Sequence, residues 1–228
     1  MKDKVLIQLM LIQGFSFCNI MIEEWGMTLL EQYWNTPYIS DEIDWPMIDI
    51  EFAANISPFK AHNTDTYNEE MFIQATLQMT ERFQSLFPED TEVEIIFNIQ
   101  LNEGYDSLNR VLQAMNVFGP AKHSVSYTER FADPVANQDM EAESKQFFFD
   151  SHVETILASD IFKAIANKDF PDRLPQLFSK EIGEDWQVYF VTAELIYFPY
   201  DDRGANVIFK SIEKRNRYIA ENPDVFMV

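Results

Sequence analysis

The stretch YFPYDDRGANVIF places two carboxylates and a guanidinium next to one another, at Asp201, Asp202 and Arg203. Paired carboxylates can bind a divalent cation or act as general acid and general base, and a neighbouring arginine can hold an anionic substrate. These three residues are therefore the candidate catalytic residues of the chain. His152 and Tyr200 are candidate helpers in the same chemistry.

The same stretch also has the composition of a β-hairpin turn. Aspartate at the first position of a type I turn accepts backbone N–H bonds, and glycine at the fourth position supplies a positive φ. Tyr200, Asp201 and Gly204 are therefore interpreted as structural turn residues, with Arg203 folding back onto a carboxylate or a helix C-terminus. We favour this interpretation, because metal and acid–base sites usually draw on several segments and the sequence identifies no second segment.

The overall charge restricts the partners of the chain. Its 228 residues include 38 acidic and 17 basic ones, which gives a net charge of -21. A field of this sign repels phosphate backbones and anionic membrane surfaces, and it attracts basic proteins. We therefore expect no direct nucleic-acid binding, no membrane binding, and a basic protein as the partner.

Motifs for a resident cofactor or metal are missing from the sequence. The single cysteine, Cys18, cannot form an intramolecular disulfide, which fits a reducing cytoplasm. The three histidines are isolated from one another, and the chain contains no HExxH, GxSxG, P-loop or GxGxxG motif. We expect no cofactor and no metal, which weakens the enzyme hypotheses without excluding them.

The N-terminal residues resemble the start of a signal peptide only superficially. An apolar run precedes Cys18, but Phe15 and Phe17 are too bulky for a cleavage site that requires small residues. We interpret residues 1–26 as an N-terminal extension that adds a strand or a helix. Residues 27–228 are expected to form a single α+β domain.

Hydrophobic periodicity predicts the elements of this domain. The predicted helices span residues 27–34, 66–88, 106–119, 160–167 and 211–222, with a capping box at Thr66 to Glu69, a Ser159 cap and a Ser211 cap. The predicted strands span 45–53, 91–101, 122–131 and 146–153, and residues 186–209 form a three-stranded meander. Residues 132–145 are polar and acidic, which favours a long loop.

These elements indicate an α+β fold. We expect an antiparallel or mixed sheet of about five to seven strands with helices packed on it. The C-terminal meander is predicted to supply its most buried strands, because its apolar residues are almost continuous.

Three stretches, VYFVTAELIYFPYDDRGANVI, WPMIDIEFA and IFKAIANKDF, resemble an uncharacterised bacterial family, a domain of unknown function with a YDDRG turn near its end. The resemblance implies this fold and a cytoplasmic bacterial setting, and it implies no activity. Members often carry an arginine in the first of these strands and an acid two residues after the glycine. This chain has Asp49 and Asn206 instead, so no charge pair is expected between those positions.

The leading functional hypothesis is a soluble, non-enzymatic acidic module that binds a basic protein, as an immunity or inhibitory protein does. The first alternative is a hydrolase or metal-dependent enzyme centred on the DDRG turn. The second is an inhibitor that mimics a nucleic acid through regularly spaced carboxylates.

Overall fold

A computed structural model describes residues 5–7, 20–22, 27–40, 43–60, 66–101, 118, 121–133, 138–157, 160–170, 172–177, 186–221 and 223. The helix predicted at 106–119 and the Ser159 cap lie outside these residues, apart from the helical residue Phe118.

Nine strands are present among the described residues. Two short ones, β1 (Val5–Ile7) and β2 (Ile20–Ile22), form a separate antiparallel pair. The other seven form one antiparallel sheet in the order β3-β9-β8-β7-β4-β6-β5. Their bounds are β3 (Met47–Glu51), β4 (Glu92–Leu101), β5 (His123–Asp133), β6 (Gln138–His152), β7 (Trp186–Val191), β8 (Leu195–Pro199) and β9 (Gly204–Phe209).

The helical elements with described bounds are one π-helical turn and four α-helices. A π-helical turn spans Leu30–Trp34. The α-helices are α1 (Glu69–Leu86), α2 (Val153–Leu157), α3 (Ile161–Ala166) and α4 (Ile212–Glu221). None of the described helices combines the length and the hydropathy needed to cross a membrane.

The α+β prediction is confirmed, with seven strands in the sheet and a meander formed by β7, β8 and β9. The prediction of a loop at 132–145 is wrong. Strand β6 begins at Gln138, and its pairing with β5 starts at the Asp133–Gln138 pair. A hairpin at the edge of a sheet is paired along one side only, so its residues can remain polar while their backbone bonds are satisfied.

One face of the sheet carries the main hydrophobic core. The predicted alternation in β4 is confirmed, since Val93, Ile95, Phe97 and Ile99 are all buried on this face. The stripe on α1 packs against it, and the ring of Phe83 lies 5.1 Å from that of Phe190. The core thereby fixes α1 and α3 beside the C-terminal meander.

The opposite face is covered by side chains from residues 28–40 and by Trp45. Trp34 is buried there and donates its indole N–H to the Thr192 carbonyl at 2.8 Å. The Gln146 side chain both accepts from the Ile39 N–H, at 2.9 Å, and donates to the Ile39 carbonyl, at 2.6 Å. This amide therefore supplies the hydrogen bonds that an adjacent strand would supply.

Two helix starts differ from the prediction. The N-cap of α1 is Asn68 and makes no side-chain capping bond, so the capping box predicted from Thr66 is wrong. A reciprocal box forms instead at Thr28 and Glu31, where each side chain accepts the other residue's backbone N–H at 3.0 Å. The predicted Ser211 cap is present, since its hydroxyl accepts the Lys214 N–H at 3.3 Å.

Glu94 joins this N-terminal segment to the sheet. Its side chain is buried, and Oε2 accepts the Leu30 N–H at 3.4 Å. Burial raises the pKa of Glu94 to about 7, although the backbone N–H groups of Leu29 and Leu30 oppose the shift. The folded chain thus holds this proton more tightly than the unfolded chain does.

We expect Glu94→Gln to stabilise the protein at pH 8 by about 1 to 2 kcal/mol, because it removes a buried charge. The gain should shrink toward pH 5, since protonation stabilises the wild type as the pH falls from about 7 toward 4.5, the ordinary pKa of a glutamate. Urea unfolding at both pH values measures this. Glu92→Gln, an exposed site on the same strand, is the control, and equal gains at both pH values would contradict the prediction.

Candidate functional site

The turn between β8 and β9 is built on Asp201. One carboxylate oxygen, Oδ1, accepts the Arg203 backbone N–H at 2.7 Å, as in an Asx-turn. The other, Oδ2, accepts both Nε of Arg203, at 2.7 Å, and Nη2. Both oxygens of Asp201 are therefore engaged, and Arg203 folds back onto a carboxylate as the structural interpretation predicts.

Gly204 is required by close packing. It pairs with Glu51 in the β3–β9 register, and its φ lies outside the left-handed region, so the predicted need for a positive φ is wrong. A Cβ at this position would overlap the Ile50 carbonyl oxygen and the Tyr200 hydroxyl. The glycine thus lets the Tyr200 ring lie across β9.

Tyr200 reaches the neighbouring strand from this position. Its hydroxyl donates to Oδ1 of Asp49 at 3.1 Å. Burial raises the pKa of Tyr200 to about 12, and the Asp49 carboxylate adds to the shift. Tyr200 is therefore a neutral hydrogen-bond donor that ties the turn to β3.

Asp202 is buried next to Arg203, but the Arg203 guanidinium pairs with Asp201 and only weakly lowers the pKa of Asp202. Asp202 is 5 % exposed. Among the described residues, its carboxylate is in no ion pair and has a hydrogen bond only with its own backbone N–H. Burial, followed by the neighbouring Asp201 carboxylate, raises its pKa to about 6. Asp202 therefore remains an anion at pH 7.5, at a cost to stability.

The fold adds a third carboxylate, that of Asp169, which follows α3. One oxygen each from Asp169, Asp201 and Asp202 lies within 4.8 Å of the others. Nη2 of Arg203 lies 3.7 Å from Oδ2 of Asp169 and also contacts Asp201. The Arg203 guanidinium therefore contacts two of the three carboxylates, those of Asp201 and Asp169.

Asp169, Asp202 and Arg203 border a cleft of about 470 Å³ at the end of the sheet. Asp202 and Asp169 lie on its lining together with Asp49 and Glu51. The remaining wall is largely apolar and consists of Phe52, Ile56, Pro58, Met71 and Phe170 with small residues between them. The cleft therefore combines an acidic side with an apolar side.

The loop after β3 shapes one wall of the cleft and carries backbone strain. Ala53 has φ 46° and Asn55 has φ 67°, and residues other than glycine rarely adopt these values. The Gln78 side chain on α1 accepts the Ala53 N–H at 2.7 Å, and the Ile56 N–H donates to the Ala53 carbonyl at 3.0 Å. The surrounding structure thus holds this wall in place.

The opposite wall is held by aromatic packing. Phe170 meets Phe72 edge to face, with ring centroids 4.8 Å apart, and Tyr67 at 5.6 Å. Arg173 lies over the Phe72 ring at 3.6 Å and forms a bidentate pair with Glu69, with N–O distances of 2.6 and 3.0 Å. This wall is therefore formed before any ligand binds.

His152 does not belong to the site. It is on β6, three strands from β8 in the sheet order, which corresponds to roughly 14 Å. The register aligns Tyr197 with Phe149 through Phe190 and Ile95, so His152 and the turn lie at opposite ends of the strands. The hypothesis that His152 assists chemistry at the turn is wrong.

Comparison with known proteins identifies the family. The sequence profile described as a domain of unknown function, DUF3885, matches residues 48–225. The chain belongs to this family. It is also similar to the uncharacterized protein YnaE of Bacillus subtilis strain 168, with 27% identity over 184 residues that cover 75% of this chain and 85% of YnaE. No solved structure matches the chain significantly.

The DUF3885 match includes every acidic residue of the cleft. Asp49 and Asn206, the positions at which the resemblance implies an arginine and an acid in other members, are directly opposite each other in the β3–β9 register. In this chain Asp49 accepts the Tyr200 hydroxyl instead. The sequence therefore identified the turn, but it missed Asp169 and the wall residues, which only tertiary contacts bring to it.

We expect Gly204→Ala to destabilise this DUF3885 chain by about 2 kcal/mol or more, because the added methyl meets backbone in the paired strand. Thermal unfolding measures the loss. Tyr200→Phe removes one of the two overlapping groups, so the double variant should recover part of the stability. A melting temperature for Gly204→Ala equal to that of the wild type would contradict the close packing.

The two adjacent aspartates should respond oppositely to the same substitution. At pH 7.5, Asp202→Asn should raise the free energy of unfolding by about 1 to 2 kcal/mol, because it removes an unpaired buried charge. Asp201→Asn should lower it by a similar amount, because it weakens the charge-assisted bonds to Arg203. Urea unfolding of the two variants tests this.

The pH dependence supplies the control. Since the pKa of Asp202 is raised from 3.8 to about 6, the wild type gains stability as the pH falls through this interval. The advantage of Asp202→Asn should therefore vanish near pH 4. An advantage that is constant with pH, or a loss of stability at pH 7.5, would contradict the assignment of Asp202 as an unpaired anion.

Proposed function

We propose that this protein is a non-enzymatic interaction module that binds a basic protein, in the manner of an immunity or inhibitory protein. The observation that carries the proposal is Asp202, a buried carboxylate on the lining of the cleft that is in no ion pair with any described residue. A net charge of -21 draws a basic partner toward this cleft over long range. A cationic group that enters the cleft would form an ion pair with Asp202.

The arrangement of the acidic groups favours this function over a mimic of nucleic acid. A mimic needs carboxylates in a row that follows the spacing of phosphates. Here the carboxylates of Asp169, Asp201 and Asp202 converge to within 4.8 Å. A convergent cluster matches one cationic group better than an extended basic groove.

A divalent cation is the second candidate ligand, and with it the metal-dependent hydrolase. The convergence of three carboxylate oxygens favours it, since hard cations prefer such ligands. Two observations count against it. Both oxygens of Asp201 already accept N–H groups of Arg203, and the acid–base partner considered for this chemistry, His152, is three strands away.

We place this interaction in the bacterial cytoplasm. The support is the single cysteine, which is the usage expected where thiols remain reduced, and the similarity to a Bacillus protein.

Affinity purification of the tagged full chain from its native host at low salt tests the function. We expect one basic protein in stoichiometric amount, because the lining of the cleft is acidic, and we expect it to dissociate as NaCl rises. The discriminating variant neutralises the acidic side of the cleft through Asp49→Asn, Glu51→Gln, Asp169→Asn and Asp202→Asn, and it should lose the partner.

The matched control removes the same number of charges from exposed acids elsewhere, through Glu81→Gln, Glu89→Gln, Glu92→Gln and Glu213→Gln. This control should retain the partner. Failure to recover any stoichiometric partner, or equal losses in both variants, would overturn the proposal that this cleft is the binding site.

A further inference from the structure

Carboxylates outnumber basic groups on the lining of the cleft. Asp49, Glu51, Asp169 and Asp202 supply four carboxylates to its lining, and Arg203 is the one basic residue among the described lining residues. Arg203 is committed to Asp201 through its Nε and Nη2 atoms. Asp202 is therefore left without a cation of its own at 5 % exposure.

The apolar side of the cleft limits what that cation can be. Phe52, Met71 and Phe170 line the cleft, so an ion that enters with a full hydration shell would leave this wall unused. A cation on an apolar stem would contact both sides at once. Arginine has such a stem, and its planar guanidinium can stack on an aromatic ring while it pairs with carboxylates.

The protein already holds one of its own arginines in this way next to the cleft. Arg173 lies over the Phe72 ring at 3.6 Å and pairs with both oxygens of Glu69. Phe72 in turn contacts Phe170, which lines the cleft, with centroids 4.8 Å apart. The same combination of a phenylalanine wall and a free carboxylate is available at Phe170 and Asp202.

We propose that the cleft binds the side chain of an arginine supplied by the partner protein, with Asp202 as the anchoring carboxylate. This proposal rests on the proposed function and names the group that is recognised. The guanidinium pairs with Asp202 and shares Asp169 with Arg203, whose Nη2 lies 3.7 Å from the Asp169 carboxylate, and its stem lies along the wall formed by Phe52 and Phe170. Arg203 keeps its bonds to Asp201, so the turn does not rearrange.

This geometry also separates an arginine from a metal ion. A metal held by all three carboxylates would compete with the Arg203 N–H groups for Asp201, whereas a guanidinium that pairs with Asp202 and Asp169 leaves Asp201 to Arg203. The test therefore also measures whether Mg²⁺ or Ca²⁺ binds to the cleft and whether that binding depends on Asp202.

The experiment uses the full chain and three peptides, acetyl-Gly-Gly-Xaa-Gly-Gly-amide with arginine, lysine or citrulline at the centre. Citrulline has nearly the shape of arginine without its charge. Chemical-shift titration at pH 7.5 and low salt measures weak binding directly. We expect the arginine peptide to bind with a dissociation constant on the order of 1 mM, and the citrulline peptide to bind at least about tenfold more weakly.

Two variants and the lysine peptide test where and how the arginine peptide binds. Asp202→Asn should weaken the arginine peptide at least about tenfold, because it removes the anchoring charge. Glu81→Gln, an exposed charge about 15 Å farther along α1 from the cleft residue Met71, should not. The lysine peptide should bind more weakly than the arginine peptide, since ammonium is a point charge.

Three outcomes would overturn the proposal. They are equal binding of the arginine and citrulline peptides, equal weakening by Asp202→Asn and Glu81→Gln, and saturable binding of Mg²⁺ or Ca²⁺ that depends on Asp202 while the arginine peptide fails to bind. The last outcome would assign the cleft to a divalent cation.

The two proposals fail separately. If the native partner is still bound by Asp202→Asn but lost from the variant with four cleft substitutions, the arginine anchor is wrong and the interaction function stands. If the arginine peptide binds as expected but no basic protein is recovered from the host, the cleft chemistry stands and the interaction function is wrong.

Discussion

Arg203 pairs with both oxygens of Asp201, whereas Asp202 is in no ion pair with a described residue, and the properties of the cleft follow from this unequal distribution. The Asp201–Arg203 pair closes the turn, so the turn is stable without a ligand. The adjacent Asp202 carries this unpaired charge at 5 % exposure, which is unfavourable by itself. In the proposed function, a cationic group of the partner would offset this cost.

The sheet order makes this arrangement possible. Because β3 pairs with β9, the loop after β3 lies beside the β8–β9 turn, and the Phe52 N–H donates to the Arg203 carbonyl at 2.7 Å. Gly204 allows the strands and the Tyr200 ring to approach closely. The segment after α3 then brings Asp169 from the main core side. Three distant parts of the chain thus meet at one point.

Local patterns in the sequence were sufficient to predict most of the helices and strands, and at the site they predicted the turn but not Asp169. The alternation in β4, the stripe on α1 and the turn chemistry of Asp201 depend on near neighbours, and the structure has all three. The polar half of β6 and the true N-cap of α1 were missed, because pairing with β5 and packing decide them. Asp169 could not be found, since an acid 32 residues before Asp201 has no local signal of convergence.

The segment that covers the second face of the sheet lies outside the part of the chain that matches the family. Residues 28–40, which include Trp34 and Ile39, lie before residue 48, where the DUF3885 match begins. A chain trimmed to that match would keep the whole cleft but would leave Ile96, Phe148 and Ile196 uncovered. Such an apolar sheet surface drives self-association. The stretch that matches the family is therefore shorter than the stretch needed to cover both faces of the sheet.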